Sequence, residues 1–326
     1  MLTTLQSLRF IFVMMIFMSH FAYGGVGAFD AGGDGGVAFF FLLSGFVVSL
    51  GYAPRLRDGT FSCRRFIRRR LLKLYPLHLL CLLFFLVVAR PPLDLRVLLN
   101  LLLLQSWVPD AHYYYACNSV SWFLSSLLFC YLLFPWLHRL CRSRWFLPLL
   151  LAALAVVYLL TPYDRITDIL YVNPLARMAD FCLGIALCRL YEQDCSARSF
   201  TTRHELVVVI LTVLVFFAYP FVDAKLRNAP LFWPVLLPLI IVFARDGGVV
   251  SACLRWRPLL WLGNLSMPLF MTHQMIIGIL VRRLDGWPYA ALLSACLVVS
   301  IAVSWLIDSL LLRQGGMLRR NANNGE

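Results

Sequence analysis

The segment "LRFIFVMMIFMSHF", residues 8–21, is almost wholly apolar, yet it carries Arg9 near its start and His20 near its end. The eleven residue steps between them turn an α-helix through about 1100°, which is three full turns plus roughly 20°. The two side chains therefore share one helical face and lie roughly 16 Å apart along the axis, about half the thickness of a hydrocarbon core. An ionisable residue inside a membrane span is energetically costly, so both residues are candidate functional groups.

The composition of the whole chain indicates a polytopic membrane protein. Of the 326 residues, 61% are hydrophobic and 14% are charged, whereas the apolar share of an average globular protein is about 45–50%. Apolar runs of roughly 17–25 residues predict an all-α, polytopic integral membrane helical bundle of about ten transmembrane helices. The predicted spans lie near 5–23, 36–53, 74–90, 120–140, 145–161, 174–190, 205–222, 230–245, 259–281 and 288–312. We expect them to form one membrane-embedded domain, 1–326, with no fused soluble domain.

Two further segments are not predicted to span the membrane. The apolar segment 95–107 is short and is expected to lie at the interface or to re-enter the membrane. The glycine-rich segment 24–36 matches neither a Walker loop nor a dinucleotide fingerprint, because it lacks a GK[ST] sequence and no strand precedes it. It is expected to be a flexible outer loop.

The positively charged residues that give the net charge of +13 are distributed along the chain as the predicted membrane topology requires. With a cytoplasmic N-terminus, the loops predicted to be inside hold most of the 29 Lys and Arg residues. This bias satisfies the positive-inside rule and predicts that both termini are cytoplasmic. We therefore expect a multi-pass protein of the inner (cytoplasmic) cell membrane, in contact with membrane lipids and binding no nucleic acid. No Cys or His spacing typical of a metal site is present, so no metal is expected.

Arg9 and His20 carry the chemistry that the first span suggests. A guanidinium at the cytoplasmic end can hold a phosphate, and an imidazole deeper in the membrane can act as a general base. For a lone membrane histidine, a hydrogen bond to a neighbouring helix is an equally weighted alternative, and Arg9 on the same face favours the functional interpretation of His20. The spacing suits a long ligand with an anionic head and a reactive tail. Acyl-CoA is such a ligand, with a nucleotide and pyrophosphate at one end and a thioester at the other.

The basic segment "FSCRRFIRRRLLKLYP", residues 61–76, is predicted to lie on the same side of the membrane as Arg9. Arg70 and Lys73 are three residues apart and share a helical face, which favours a phosphate-binding cradle. Ordinary positive-inside topology and attraction to anionic lipids are the alternative.

In "GGVAFFFLLSGF", residues 35–46, the pair Ser44-Gly45 is small enough to let two membrane helices approach closely. This structural interpretation is favoured by residue type. The alternative is that the hydroxyl of Ser44 bonds to the substrate or to His20.

The sequence resembles the acyltransferase-3 family of polytopic membrane enzymes, which transfer acyl groups, often acetyl, to sugars of exported or cell-surface polysaccharides. The resemblance runs through almost the whole chain and rests on the order and spacing of its motifs. The matching motifs are Arg9 and His20 in the Arg-x10-His arrangement, "FFLLSGF" (40–46), "RRLLKLYP" (69–76), "SWFLSSLLFCYLLFP" (121–135), "NPLARMADFCLGIAL" (173–187) and "WLGNLSMPLFMTH" (261–273).

The resemblance implies roles for the residues on the donor side. His20 corresponds to the essential histidine of the family, expected to deprotonate the acceptor hydroxyl for attack on the thioester, and Arg9 is its catalytic partner in the motif. The residues expected to bind acyl-CoA are Arg9, Arg69, Arg70, Lys73 and Ser44. No permanently bound cofactor is implied, because acyl-CoA is a co-substrate.

On the acceptor side the resemblance implies substrate contacts by Arg177, Asp180 and His273, and the aromatic segment 107–122 adds Trp122 as a candidate sugar contact, although its residue types favour a membrane-surface belt. Each has a structural alternative that the sequence leaves open. Arg177 and Asp180 are three residues apart on a helix and can form a stabilising ion pair. His273 can be a hydrogen-bonded core histidine, and Trp122 can belong to the aromatic belt at the membrane surface rather than to a platform for sugar rings.

Three positions depart from the pattern of the family. Leu127 stands where many members have an acid, Lys73 replaces an arginine, and Ala38 replaces an acid that often precedes the "FF" pair. Lysine keeps the charge of arginine but loses its bidentate geometry. These departures predict a subfamily with an altered acceptor geometry, in which Arg9 and His20 are retained.

The resemblance thus implies an O-acyltransferase that moves an acyl group, expected to be acetyl, from acyl-CoA to a hydroxyl of a cell-surface or exported carbohydrate. The acceptor can also be a lipid-linked glycan of the cell envelope. Two alternatives remain open: a transporter or exporter of an acylated or anionic small molecule, and a non-catalytic partner of a polysaccharide synthesis complex. The sequence leaves the oligomeric state open and allows a homo-oligomer.

Overall fold

The computed structural model of the chain describes residues 2–21, 32–193 and 200–312. Within these ranges the chain is helical and has no β-strand, as predicted. Its α-helices are α1 (Thr3–Phe21), α2 (Gly33–Arg57), α3 (Cys63–Ala89), α4 (Leu95–Leu101), α5 (Ala111–Tyr114), α6 (Trp122–Leu140), α7 (Phe146–Leu160), α8 (Pro174–Gln193), α9 (Thr202–Ala218), α10 (Trp233–Arg245), α11 (Val249–Leu254), α12 (Arg257–Asn264), α13 (Ser266–Arg283) and α14 (Tyr289–Ile307). Most of the predicted glycine-rich loop and the C-terminal end of the chain lie outside the described residues.

The long apolar helices make this a multi-pass helical membrane protein. In the described ranges, seven helical segments are long and apolar enough to cross a membrane. They are Thr3–Phe21, Gly33–Arg57, Cys63–Ala89, Ser119–Leu140, Thr202–Phe221, Leu226–Arg245 and Tyr289–Leu310. The pair α12 and α13, bent by 65°, makes an eighth when it is counted as one broken span.

Two of the ten predicted spans are not among these segments. The predicted span 145–161 is α7, which has only 15 residues. The predicted span 174–190 is α8, which carries Arg177 and Asp180 in its interior. The number of membrane crossings and the side of each terminus therefore stay predictions. The segment 95–107 forms the seven-residue helix α4 and a short 3-10 turn.

Two glycines let α2 and α8 cross at backbone contact. A Cβ atom on Gly45 of α2 would lie 2.1 Å from the carbonyl oxygen of Phe181, and one on Gly184 of α8 would lie 2.0 Å from that of Leu42. No larger residue fits either position without moving a helix. The structural interpretation of Gly45, close helix packing, is confirmed.

Helix α1 lies in the middle of the bundle and packs against α2, α10, α11, α12 and α13. The hydroxyl of Ser7 donates to the carbonyl oxygen of Leu254 over 2.5 Å. The ring of Phe12 stacks on that of Phe39 with the centroids 3.9 Å apart. These contacts fix the rotation of α1 and hence the directions of its two ionisable residues.

Candidate active site

A cavity of about 480 Å³ lies beside the first half of α1 and is called the basic cavity here. Its walls include the side chains of Arg9, Arg70, Lys73 and Ser44. The Arg9 guanidinium also donates to Oε1 of Gln6, one turn earlier, over 3.5 Å. Three helices, α1, α2 and α3, thus bring together four of the five residues predicted to bind the donor.

Arg70 is held against aromatic rings inside the basic cavity. Its guanidinium carbon lies 5.2 Å from the ring centroid of Tyr131 and 5.4 Å from that of Phe66. Its Nε is buried and has no hydrogen-bond partner among the described residues. A buried donor without a partner costs about 1–3 kcal/mol, and the Arg70 side chain brings its positive charge to the wall of the basic cavity. Leu127, which replaces the acid of the family, also lines the basic cavity and adds no negative charge there.

Arg69 is separated from the other predicted donor-binding residues. It lines a smaller cavity of about 210 Å³, together with Arg55 and Arg65. Consecutive residues of an α-helix are rotated by about 100°, and here Arg69 lines the smaller cavity whereas Arg70 lines the basic cavity.

A second cavity of about 480 Å³ lies beside the other end of α1 and is called the histidine cavity here. Its lining includes His20, Asp34, Tyr115, Trp122, Tyr171 and Gln274. Phe270 of α13 lines both this cavity and the basic cavity, so its ring lies in the wall between them. Arg9 and His20, which the sequence predicted to share one face of α1, therefore line two neighbouring cavities.

His20 contacts His273 of α13. Nδ1 of His20 lies 3.1 Å from Nε2 of His273 and 2.9 Å from the carbonyl oxygen of Ile16. Nδ1 of His273 lies 3.0 Å from the carbonyl oxygen of Leu269 and 2.8 Å from that of Phe270. His273 is fully buried, whereas His20 is half-buried and lines the histidine cavity.

When both rings are neutral, these contacts define their tautomers. Carbonyl oxygens only accept hydrogen bonds, so Nδ1 of His273 carries its proton and Nε2 is an acceptor. Nδ1 of His20 faces two acceptors, the Ile16 carbonyl and Nε2 of His273, and therefore carries its own proton. Nε2 of His20 is then the basic nitrogen, as a general base requires.

Arg177 and Asp180 form a buried ion pair rather than part of a cavity wall. Their side chains are 1% exposed and meet at 2.9 Å. Arg177 also donates to the carbonyl oxygens of Leu170, Tyr171 and Asn228. Its Nε, Nη1 and Nη2 all donate to acceptors within the protein. The structure therefore has the stabilising ion pair that the sequence offered as the alternative to substrate contact. By holding the backbone at two residues that line the histidine cavity, Arg177 supports its wall.

Of the other two residues predicted to contact the acceptor, one lines a cavity and one does not. Trp122 lines the histidine cavity, with its ring centroid 4.9 Å from that of Tyr171. His273 lines neither the basic cavity nor the histidine cavity and lies behind His20. Ser44 lines the basic cavity, away from the cavity of His20.

Asp34 is a cavity residue that sequence reasoning missed, because it was assigned to the outer loop. Helix α2 begins at Gly33, so Asp34 lies in its first turn and accepts a hydrogen bond from the Tyr219 hydroxyl over 3.0 Å. It is four residues before Ala38 and therefore one turn away on the same face. Its position one helical turn before Ala38, where the family often has an acid, was the signal in the sequence that could have identified Asp34.

Outside the predicted spans, Tyr114 fixes the polar segment that precedes α6. Its hydroxyl donates to Asp168 over 2.6 Å, and Asp168 pairs with Arg165 at 2.8 Å. Burial raises the pKa of Tyr114 well above its ordinary value, and the hydrogen bond to Asp168 raises it further. The neighbouring Tyr115 lines the histidine cavity, so this segment forms part of its wall.

The fold and the two cavities define a multi-pass membrane protein with a polar interior around α1. A family model described as an acyltransferase domain, that of acyltransferase-3, matches residues 3–309, and the chain belongs to this family. It is therefore a multi-pass membrane member of the acyltransferase-3 family. A relative is the acyltransferase MdmB of Streptomyces mycarofaciens, which is 40% identical over 116 residues. That match covers 33% of this chain and 29% of the relative. No solved structure matches the chain.

Proposed function

We propose that this protein is an O-acyltransferase of the cytoplasmic membrane, with His20 as its general base. It moves an acyl group, acetyl by resemblance to the family, from acyl-CoA to a hydroxyl of a cell-envelope carbohydrate or lipid-linked glycan. The observation that carries this proposal is the contact between His20 and His273, because it leaves Nε2 of His20 as a basic nitrogen beside a cavity.

The basic cavity supports acyl-CoA as the donor. Arg9, Arg70 and Lys73 place three cationic side chains around one space, which suits the pyrophosphate of coenzyme A. The same cavity is walled by Phe123 and Phe270, whose rings suit the less polar pantetheine arm. This arm leads towards the wall that the basic cavity shares with the histidine cavity.

The reaction is a direct transfer in which His20 takes and returns one proton. Nε2 of His20 removes the proton from the acceptor hydroxyl as its oxygen attacks the thioester carbonyl carbon. The new C–O bond forms, the C–S bond breaks, and the proton passes from His20 to the coenzyme A thiolate. One acyl-CoA is consumed for each ester formed, and the histidine returns to its neutral state.

His273 is a positioning residue in this proposal. Its Nε2 accepts from Nδ1 of His20, which fixes the tautomer of the catalytic ring and stabilises the imidazolium that forms. Backbone carbonyls on α13 hold His273 itself in one orientation. Phe270, on the same helix, lies between the cavities, so the thioester reaches His20 past this ring.

The function can be tested with the full-length protein in nanodiscs, incubated with acetyl-CoA labelled in its acetyl group and a panel of envelope glycans. We expect release of the coenzyme A thiol in equal amount to a labelled product that hydroxylamine cleaves, as it cleaves oxygen esters. Sealed proteoliposomes provide the second arm. Movement of the label across the bilayer without thiol release would contradict the proposal and favour a transporter.

A further inference from the structure

The small cavity that Arg69 lines is called the arginine pocket here. It has a volume of about 210 Å³, and its lining includes Tyr52, Arg55, Thr60, Ser62, Arg65 and Arg69. Arg55 lies in the last turn of α2, and Arg65 and Arg69 lie four residues apart on one face of α3. The short connection between the two helices supplies the hydroxyls.

The three guanidinium groups of the arginine pocket have no carboxylate partner among the described residues. The neighbouring Arg57 does have one, since it pairs with Glu192 at 3.4 Å. The three side chains are exposed, so solvent screens part of their mutual repulsion. An anion with at least two negative charges would offset the rest. A phosphate monoester carries about −1.5 to −2 charges at pH 7 and offers three acceptor oxygens.

The arginine pocket adjoins the basic cavity. Tyr52 and Phe66 line the arginine pocket, and the guanidinium carbon of Arg70 lies 5.5 and 5.4 Å from their ring centroids. Arg70 itself lines the basic cavity. Two spaces lined by arginine side chains are thus separated by one layer of aromatic side chains, an arrangement that suits a ligand with two separate phosphate groups.

We infer that the arginine pocket binds the phosphate monoester on the ribose of coenzyme A, while the basic cavity takes the pyrophosphate and the pantetheine arm. This inference rests on the proposed acyl-CoA donor. It gives Arg69 a donor contact distinct from that of Arg70, and it adds Arg55 and Arg65 as residues that select the phosphorylated donor. A volume of about 210 Å³ admits a phosphate and an edge of the sugar rather than the whole nucleotide.

The test compares two donors that differ only in this phosphate, acetyl-CoA and acetyl-dephospho-CoA. Equilibrium binding is measured on the full chain in nanodiscs of zwitterionic lipid, for the native protein, Arg55→Gln, Arg65→Gln and Arg68→Gln. Arg68 lies on the same helix, is exposed and lines neither cavity, so it is the matched control for loss of charge.

We expect the native protein to prefer acetyl-CoA by about tenfold or more, from charge-assisted bonds to the phosphate. Arg55→Gln and Arg65→Gln should each lower this preference and leave dephospho-donor binding unchanged, whereas Arg68→Gln should keep both.

Binding measurements on the native protein alone can overturn the inference, so the test does not depend on whether any variant folds. Equal binding of the two donors would contradict the arginine pocket while leaving the proposed function intact. Failure to bind either donor would instead contradict the proposed function. A preference that disappears in nanodiscs containing anionic lipid would assign the pocket to a lipid headgroup and overturn the inference.

Discussion

Nε2 of His273 lies 3.1 Å from Nδ1 of His20, although the two residues are 253 positions apart in the chain. The contact joins the first span to a late helix at the wall of the histidine cavity. Backbone carbonyls hold the buried ring of His273, and that ring in turn orients the ring that lines the cavity. We therefore expect His20 and His273 to act together, so that a substitution of either residue changes the rate measured in the same acyl-transfer assay.

Replacement of His273 by alanine should lower kcat for acyl transfer by about 10²-fold, because His20 loses the acceptor that fixes its tautomer. Equilibrium binding of acetyl-CoA should not change. His273→Gln offers an acceptor at a similar position and should recover part of the rate. If His273→Gln is no faster than His273→Ala, or if both lose donor binding, His273 has a structural role alone.

Replacement of Arg70 by glutamine should raise the Kd for acetyl-CoA by about tenfold or more, since a buried charge-assisted contact to phosphate is lost. The matched control is Arg64→Gln, which removes an exposed charge that lines neither the basic cavity nor the arginine pocket. The salt dependence of binding should also weaken in Arg70→Gln and persist in Arg64→Gln. Equal losses in the two variants would indicate general attraction of an anion to a basic surface.

Replacement of Gly45 or Gly184 by alanine should lower the thermal stability of the detergent-solubilised protein. The added Cβ would lie within about 2 Å of a backbone oxygen on the facing helix, and such overpacking costs about 1–3 kcal/mol or more. Gly278→Ala is the control, because its Cβ would meet no atom of the described residues within 4 Å. Thermal melts in which all three variants match the native protein would contradict the crossing of α2 and α8.

Replacement of Asp180 by leucine should destabilise the protein by about 3–5 kcal/mol, because the buried charge of Arg177 loses its partner. The double variant Arg177→Met with Asp180→Leu removes both charges. Its loss of stability should be smaller than the sum of the two single losses. Additive losses would show that the two residues do not depend on each other.

The sequence predicted those features that depend on local pattern. Apolar runs indicated the helices, and the period of the α-helix predicted that Arg9 and His20 share a face; the cavities they line meet at Phe270. The i to i+3 spacing of Arg177 and Asp180 indicated the ion pair as an alternative to substrate contact, and the structure has that pair. The number of crossings was less accessible, because length and hydropathy alone do not decide how a helix such as α8 lies in a membrane.

Features that depend on tertiary packing were not predictable from one sequence. The contact of His273 with His20 requires the relative rotation of α1 and α13, which no local pattern encodes. Asp34 was missed because glycines around it favoured a loop, whereas close packing extends α2 back to Gly33. Arg69 was grouped with Arg70 by motif, whereas the packing around α3 places the two side chains in different cavities.

The most direct test of the account measures donor binding and acyl transfer together, with labelled acetyl-CoA, for the native protein and His20→Ala in nanodiscs. Ser19→Ala is the matched control, because Ser19 lines the same cavity while its hydroxyl donates to the carbonyl oxygen of Ile16. The account predicts that His20→Ala binds acetyl-CoA like the native protein and that its transfer rate falls by about 10²–10⁴-fold, the contribution of a general base. Transfer by His20→Ala at the native rate would contradict the account.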